Sequence, residues 1–162
     1  MTTLRKMSDH GRQLLIQWEG SEPHVYTDSA GLPTIGVGHL LTAEERASGQ
    51  IGIGGTPVPV ADGLDSTQID QLLAQDLVRF ERAVTDLVVV DLTQHQYDAL
   101  VSFAFNLGTT TLRNSTLLRL LNGGDHAAVP AQLRRFVNAG GKRVQGLVNR
   151  RENEVKLWQG EL

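Results

Sequence analysis

Apolar residues recur at helical spacing near the start of the chain, where Met7, Leu14, Leu15 and Trp18 share one face of a helix predicted over 8–19. Ser8 suits its N-cap, Glu19 closes it, and Gly20 suits the position just beyond its end. From 21 to 60 the period changes. Eleven glycines and prolines punctuate short alternating runs such as HVYTD and TIGVG, which predicts a small β-rich lobe with 43–62 as a flexible loop or short hairpin. At Ser66 the helical period returns, with Ile69, Leu72, Leu73, Leu77, Phe80 and Val84 on one face of a long helix. Thr93 with Gln96 forms a capping-box signature ahead of Tyr97, Leu100, Val101 and Ala104, and a shorter helix runs from Ser115 to Leu121 before Asn122 and Gly123. Two further helices are predicted over 126–137 and 146–159; Pro130 moves the start of the first beyond Asp125. The expected fold class is α+β. A single domain over 1–162 would hold a β-rich lobe at 20–62, a long connecting helix, and a mainly helical lobe from 1–19 and 66–162, with a cleft between the lobes.

Composition narrows the chemistry more than it changes the fold. The chain has 162 residues, 40% hydrophobic and 20% charged, enough to bury one core. It has no cysteine, which excludes disulfides, thiolate metal sites and cysteine nucleophiles. His10, His24, His39, His95 and His126 are scattered without helical ligand spacing, so neither metal nor cofactor is expected. In the glycine runs GVGHLL and GIGGTP, Leu41 and Pro57 stand where a dinucleotide loop needs its third glycine. Charges run through the first residues, and the aliphatic stretch Leu87 to Val90 is far too short to cross a bilayer, so neither a leader nor a membrane span is expected. The net charge of −3 divides into −7 over 1–133 and +4 over 134–162. A basic end could meet an acidic polymer such as a cell wall, but a solvated helix face is the simpler reading, and no nucleic-acid partner is expected.

Cleavage of a glycosidic bond needs one carboxylic acid to protonate the leaving oxygen and a second carboxylate across the sugar. Glu19, beside Trp18 at a helix end, suits an apolar setting that keeps an acid protonated. Asp28, next to Thr27 and Ser29 on a strand or turn, suits a solvated, ionised partner, and Thr34 suits a hydroxyl that orients a water held by Asp28.

The segment WEGSEPHVYTDSAGLPTIGVGHLLT resembles the catalytic segment of phage-type, T-even-like lysozymes (endolysin muramidases), without a gap from Glu19 through Thr42. FNLG at 105–108, NSTLLRLLNGGD at 114–125 and FVNAGGKRVQGLVNRRENEVKLW at 136–158 extend the resemblance in the same order. It implies hydrolysis of the β-1,4 bond between N-acetylmuramic acid and N-acetylglucosamine in peptidoglycan, with Glu19 as acid, Asp28 as second carboxylate and Thr34 as the water-orienting hydroxyl. T-even members invert the anomeric centre; here that would make Asp28 a base, with roughly 6.5–9.5 Å between the carboxyl groups. Leu40, Phe105 and Ser115 match positions that line the sugar cleft. His39 matches a histidine that orders the β-lobe, with Asp62 or Asp65 as its expected partner. Arg150 and Arg151 match the final helix, either bracing Glu19 or the cleft floor, or pairing as Arg150 with Glu154 on an exposed face. Glu22 is a further acid without a matching role. Beyond 42 the text departs from the T-even pattern, and no role is carried over to Pro130. The resemblance further implies a monomer that stays in the host cytoplasm until a separate pore-forming protein gives access to the wall. A lytic transglycosylase, which needs one acid and no water, and a non-catalytic wall-binding domain are the competing readings.

Overall fold

The computed structural model describes residues 4–162. The chain divides into two compact units, one of Arg12–Val78 and one of residues up to Gly11 together with Arg79–Leu162. The divisions fall inside two helices, α1 (Asp9–Glu19) and α3 (Ser66–Leu87). The fold is α+β, as expected. No described helix is long and apolar enough to cross a membrane.

Helix α1 starts where the sequence places it. The Ser8 hydroxyl accepts the Gly11 amide at 3.0 Å, satisfying one of the donors that a helix start leaves open. At the other end Gly20 takes a φ of +79° and donates to Ile16 O at 2.8 Å, a left-handed stop that side chains resist. That stop turns the chain directly into β1 (Glu22–Thr27).

In the unit Arg12–Val78, β1 pairs antiparallel with β2 (Pro33–Gly36), and β2 pairs with the two-residue β3 (His39–Leu40). The stretch after Thr42 is more ordered than the expected loop. Thr42 and Glu45 close a reciprocal capping box at the start of α2 (Ala43–Ser48), which Gly49 ends. The expected hairpin then follows as β4 (Gln50–Ile53) and β5 (Thr56–Pro59), joined through Gly54 and Gly55. Leu15, Ile35, Ile51, Leu72, Leu73 and Leu77 are almost completely buried, so the apolar stripe of α3 and the inward positions of the strands supply this core.

The other unit is mainly helical. Thr93 and Gln96 form the capping box expected ahead of α4 (Gln94–Leu107), whose Tyr97, Leu100 and Phe103 are buried. Helix α5 (Thr109–Arg113) was not expected from the pattern, and α6 (Thr116–Asn122) was. The helix predicted over 126–137 is shorter: a 3-10 turn at His126–Ala128 leads into α7 (Val129–Leu133), with Pro130 in the first turn, where its missing amide costs nothing. A hairpin of β6 (Asn138–Ala139) and β7 (Lys142–Arg143) turns through Gly140 and Gly141, and α8 (Gln145–Trp158) closes the chain.

Candidate active site

Asp28 follows β1 immediately and Thr34 sits on β2, so both stand at the turn end of one hairpin. The turn is built by Asp28 itself. Its Oδ1 accepts the amides of Ala30 at 2.9 Å and Leu32 at 2.8 Å, while its own amide donates to Leu32 O at 2.9 Å. One carboxylate oxygen is thereby fixed, and Oδ2 has no hydrogen-bond partner among the described residues. The Thr34 hydroxyl donates to the same Leu32 carbonyl at 3.0 Å. Its donor is therefore spent, its oxygen remains an acceptor, and the two side chains are registered through one residue, Leu32, whose amide bonds Asp28 and whose carbonyl bonds Thr34.

Glu19 is the last residue of α1, three positions before β1, and is exposed, whereas Trp18 beside it is half-buried. The apolar cover expected over Glu19 is thus not supplied by burial in the chain alone. Thr34 is only 3% exposed, more enclosed than a solvent-facing hydroxyl. Glu22 is exposed on β1 opposite Gly36.

His39 departs from expectation in its partners. Its Nδ1 lies 2.8 Å from Asp76 Oδ2 and its Nε2 2.9 Å from Glu45 Oε1. Asp62 and Asp65 are not the partners: Asp65 is occupied in capping α3, accepting the Gln68 amide at 2.8 Å, and Asp62 belongs to the 3-10 turn Val60–Asp62. Burial works against charge on His39, but hydrogen bonding and Coulomb attraction from Asp76, then from Glu45, overcome it and raise the pKa from 6.5 to about 9. Burial would raise the Glu45 carboxyl, but the Thr42 backbone amide and His39 outweigh it and hold it below its usual value. The imidazolium thus bonds the α2 cap to α3 within this unit.

A histidine with a raised folded pKa stabilises fully below its unfolded value of 6.5, and the benefit disappears as pH climbs through about 9. The chain is expected to lose about 3 kcal/mol across that window through this group. Urea unfolding at a series of pH values checks it, with His39→Gln expected to flatten the slope. A native chain equally stable at both ends of the window would rule out the imidazolium.

In the other unit, Arg150 and Arg151 converge on one carboxylate. Arg150 Nε lies 3.2 Å and Arg151 Nε 2.8 Å from Glu154 oxygens. The i, i+4 pair of Arg150 with Glu154 exists, but on a buried face rather than the exposed one expected, because Arg151 and Glu154 are 0% exposed. Arg151 also donates to Asn106 Oδ1 at 2.7 Å and Phe136 O at 3.3 Å, and Ser102 donates to Glu154 at 2.6 Å. Burial, the largest influence, pushes the Glu154 carboxyl upward, opposed by Arg151, Arg150 and Ser102.

The three positions expected to contact sugar are placed differently. Leu40 is 48% exposed on β3, opposite Thr34 in the sheet register. Phe105 is half-buried, its ring meeting Phe80 edge-on at 5.3 Å. The Ser115 hydroxyl caps α6, accepting the Leu118 amide at 3.0 Å and donating to Leu112 O at 2.7 Å. Among the described residues no group of three or more metal-ligating side chains comes together.

Residues 16–154 match the protein family described as Phage lysozyme. The chain is 37% identical over 147 residues to the SAR-endolysin of Escherichia phage Mu, an alignment covering 91% of this chain and 77% of that protein. It is 34% identical over 154 residues to the endolysin of Bacillus phage B103, covering 94% of this chain, and it spans only 53% of that relative's length. A crystal structure of a P22 lysozyme mutant superposes with a TM-score of 0.81 at 33% identity, covering 96% of this chain and 99% of that one.

Proposed function

The chain belongs to the phage lysozyme family of peptidoglycan-degrading glycoside hydrolases, and from that premise we propose that it cleaves the β-1,4 bond between N-acetylmuramic acid and N-acetylglucosamine with inversion. Glu19 protonates the departing glycosidic oxygen. A water donates one hydrogen bond to the Thr34 oxygen and gives a proton to Asp28 Oδ2 as it attacks the anomeric carbon from the opposite face. Leu40 offers an apolar surface to a sugar ring, and Phe105 and Ser115 carry the sugar contacts that the family resemblance assigns. The chain acts as a monomer, and a separate pore-forming protein gives it access to the wall.

The observation that supports this most is the state of Asp28. Its Oδ1 is held by two backbone amides while Oδ2 has no hydrogen-bond partner among the described residues, so the carboxylate is oriented without being consumed. A base must be both, because an oriented lone pair lowers the entropy cost of the attack and an occupied one cannot take the proton. A transglycosylase would have no use for such a group.

The test is mass spectrometry of muropeptides released from purified peptidoglycan, with proton NMR of the first-formed anomer. Reducing N-acetylmuramic acid ends that appear first as the α-anomer are expected. Ends of the 1,6-anhydro form would replace hydrolysis with transglycosylation, and an initial β-anomer would replace inversion with a covalent intermediate.

A further inference from the structure

Within the helical unit, a surface groove of about 540 Å³ opens between α3 and α5, lined by Arg79, Arg82 and Arg113 together with Asp86, Thr109 and Thr110. Residues 1–133 are acidic overall, with eight lysines and arginines against fifteen acids, yet three of those eight cations converge here. All three guanidiniums are exposed, and none closes an ion pair among the described residues. Asp86 stands one helical turn beyond Arg82, in the order that favours i, i+4 pairing least, and the two remain unpaired. The Arg79 guanidinium lies over the Phe80 ring at 4.9 Å, and Phe80 is itself held edge-on by Phe105. One cation is therefore pre-positioned on a firm aromatic floor.

We propose that this groove binds the peptide stem of peptidoglycan, with the arginines taking the stem's carboxylates and Asp86 taking the free amine of its diamino acid. The ligand assignment rests on the peptidoglycan-hydrolase reading above. Three forked donors suit oxyanions, and a carboxylate among them selects between oxyanion sources. A polymer of phosphodiesters presents negative charge only and meets repulsion at Asp86. A stem carries carboxylates and an ammonium within a few bonds, matching three cations beside one anion. The Thr109 and Thr110 hydroxyls can serve its amide groups, and Phe80 and Ala83 supply apolar contact.

Calorimetric titration of the full chain with a synthetic stem tetrapeptide tests the proposal. The native chain is expected to bind it, and Arg82→Ala with Arg113→Ala to weaken binding by roughly tenfold or more. Asp86→Asn is expected to weaken binding of the tetrapeptide and to leave unchanged that of the same peptide with its diamino-acid amine acetylated. In digestion assays the double arginine variant should show a KM raised by about tenfold at unchanged kcat on stem-bearing wall, and native behaviour on glycan stripped of its peptides. No binding by the native chain, equal affinity across these variants, or tighter binding of a glycerol-phosphate polymer than of the tetrapeptide would each overturn the assignment. The two readings fail separately: a native chain that binds the tetrapeptide but digests no wall sinks the hydrolase, whereas one that digests wall and ignores the tetrapeptide sinks only the groove.

Discussion

Replacing Glu19 by Gln is expected to cut muropeptide release by roughly 10²–10⁴-fold, the range that a positioned general acid supplies. The side chain is exposed at a helix end that Gly20 stops independently, so α1 still ends where it does in the native chain. Asp28→Asn is the sharper companion. An asparagine keeps an Oδ1 that can accept from Ala30 and Leu32, so the turn survives, but the amide cannot take a proton from water. A loss of the same order is expected there. If Asp28→Asn instead retained more than about a tenth of the native rate, the base would lie elsewhere, because a group contributing less than tenfold is not performing general base catalysis. Asp28→Ala is a poorer probe, since it releases two amides and relaxes the turn that holds Thr34 in register.

Where the chain repeats an apolar stripe over several turns, its elements are legible from the pattern alone: α1, α3 and α4 begin within a residue or two of the predicted places. Short elements carry too few periods to be read that way. Helix α2 has no buried residue at all, yet its Thr42 and Glu45 show the same box that announced α4 at Thr93 and Gln96, and the Gly140–Gly141 pair marks the unforeseen hairpin at β6 and β7. The local turn at Asp28 could be read because its partners lie within four residues. His39 could not be matched to Asp76, because that contact spans 37 positions and no spacing rule reaches across it. The same limit hid the depth of Arg151 and Glu154. Their spacing on α8 is that of a solvated pair, and what buries them is Ser102 and Asn106 on a helix some fifty residues earlier.

That burial sets up the second large effect. Glu154→Gln is expected to destabilise the chain by about 3–5 kcal/mol, the usual consequence of stripping the counter-charge from a buried ion pair. Arg150 and Arg151 cannot shed their protons, so both would be left charged in a site where Arg151 has no access to water. For a chain of this length the loss corresponds to a melting temperature lower by roughly 10 °C. The size of this loss depends on the charge of Glu154, which burial opposes and the two guanidiniums favour. A neutral carboxylic acid would be nearly copied by the amide, and the substitution would then cost little, so thermal melts of the variant read the charge directly. Arg151→Met is expected to cost a similar amount by removing the donors to Asn106 and Phe136 as well as the ion pair with Glu154. The two together should cost less than their sum, because once Glu154 is neutral the loss of one guanidinium relieves a stranded charge. Additive losses, or a Glu154→Gln chain within about 1 kcal/mol of the native one, would mean that packing rather than charge pairing holds α8 against α4.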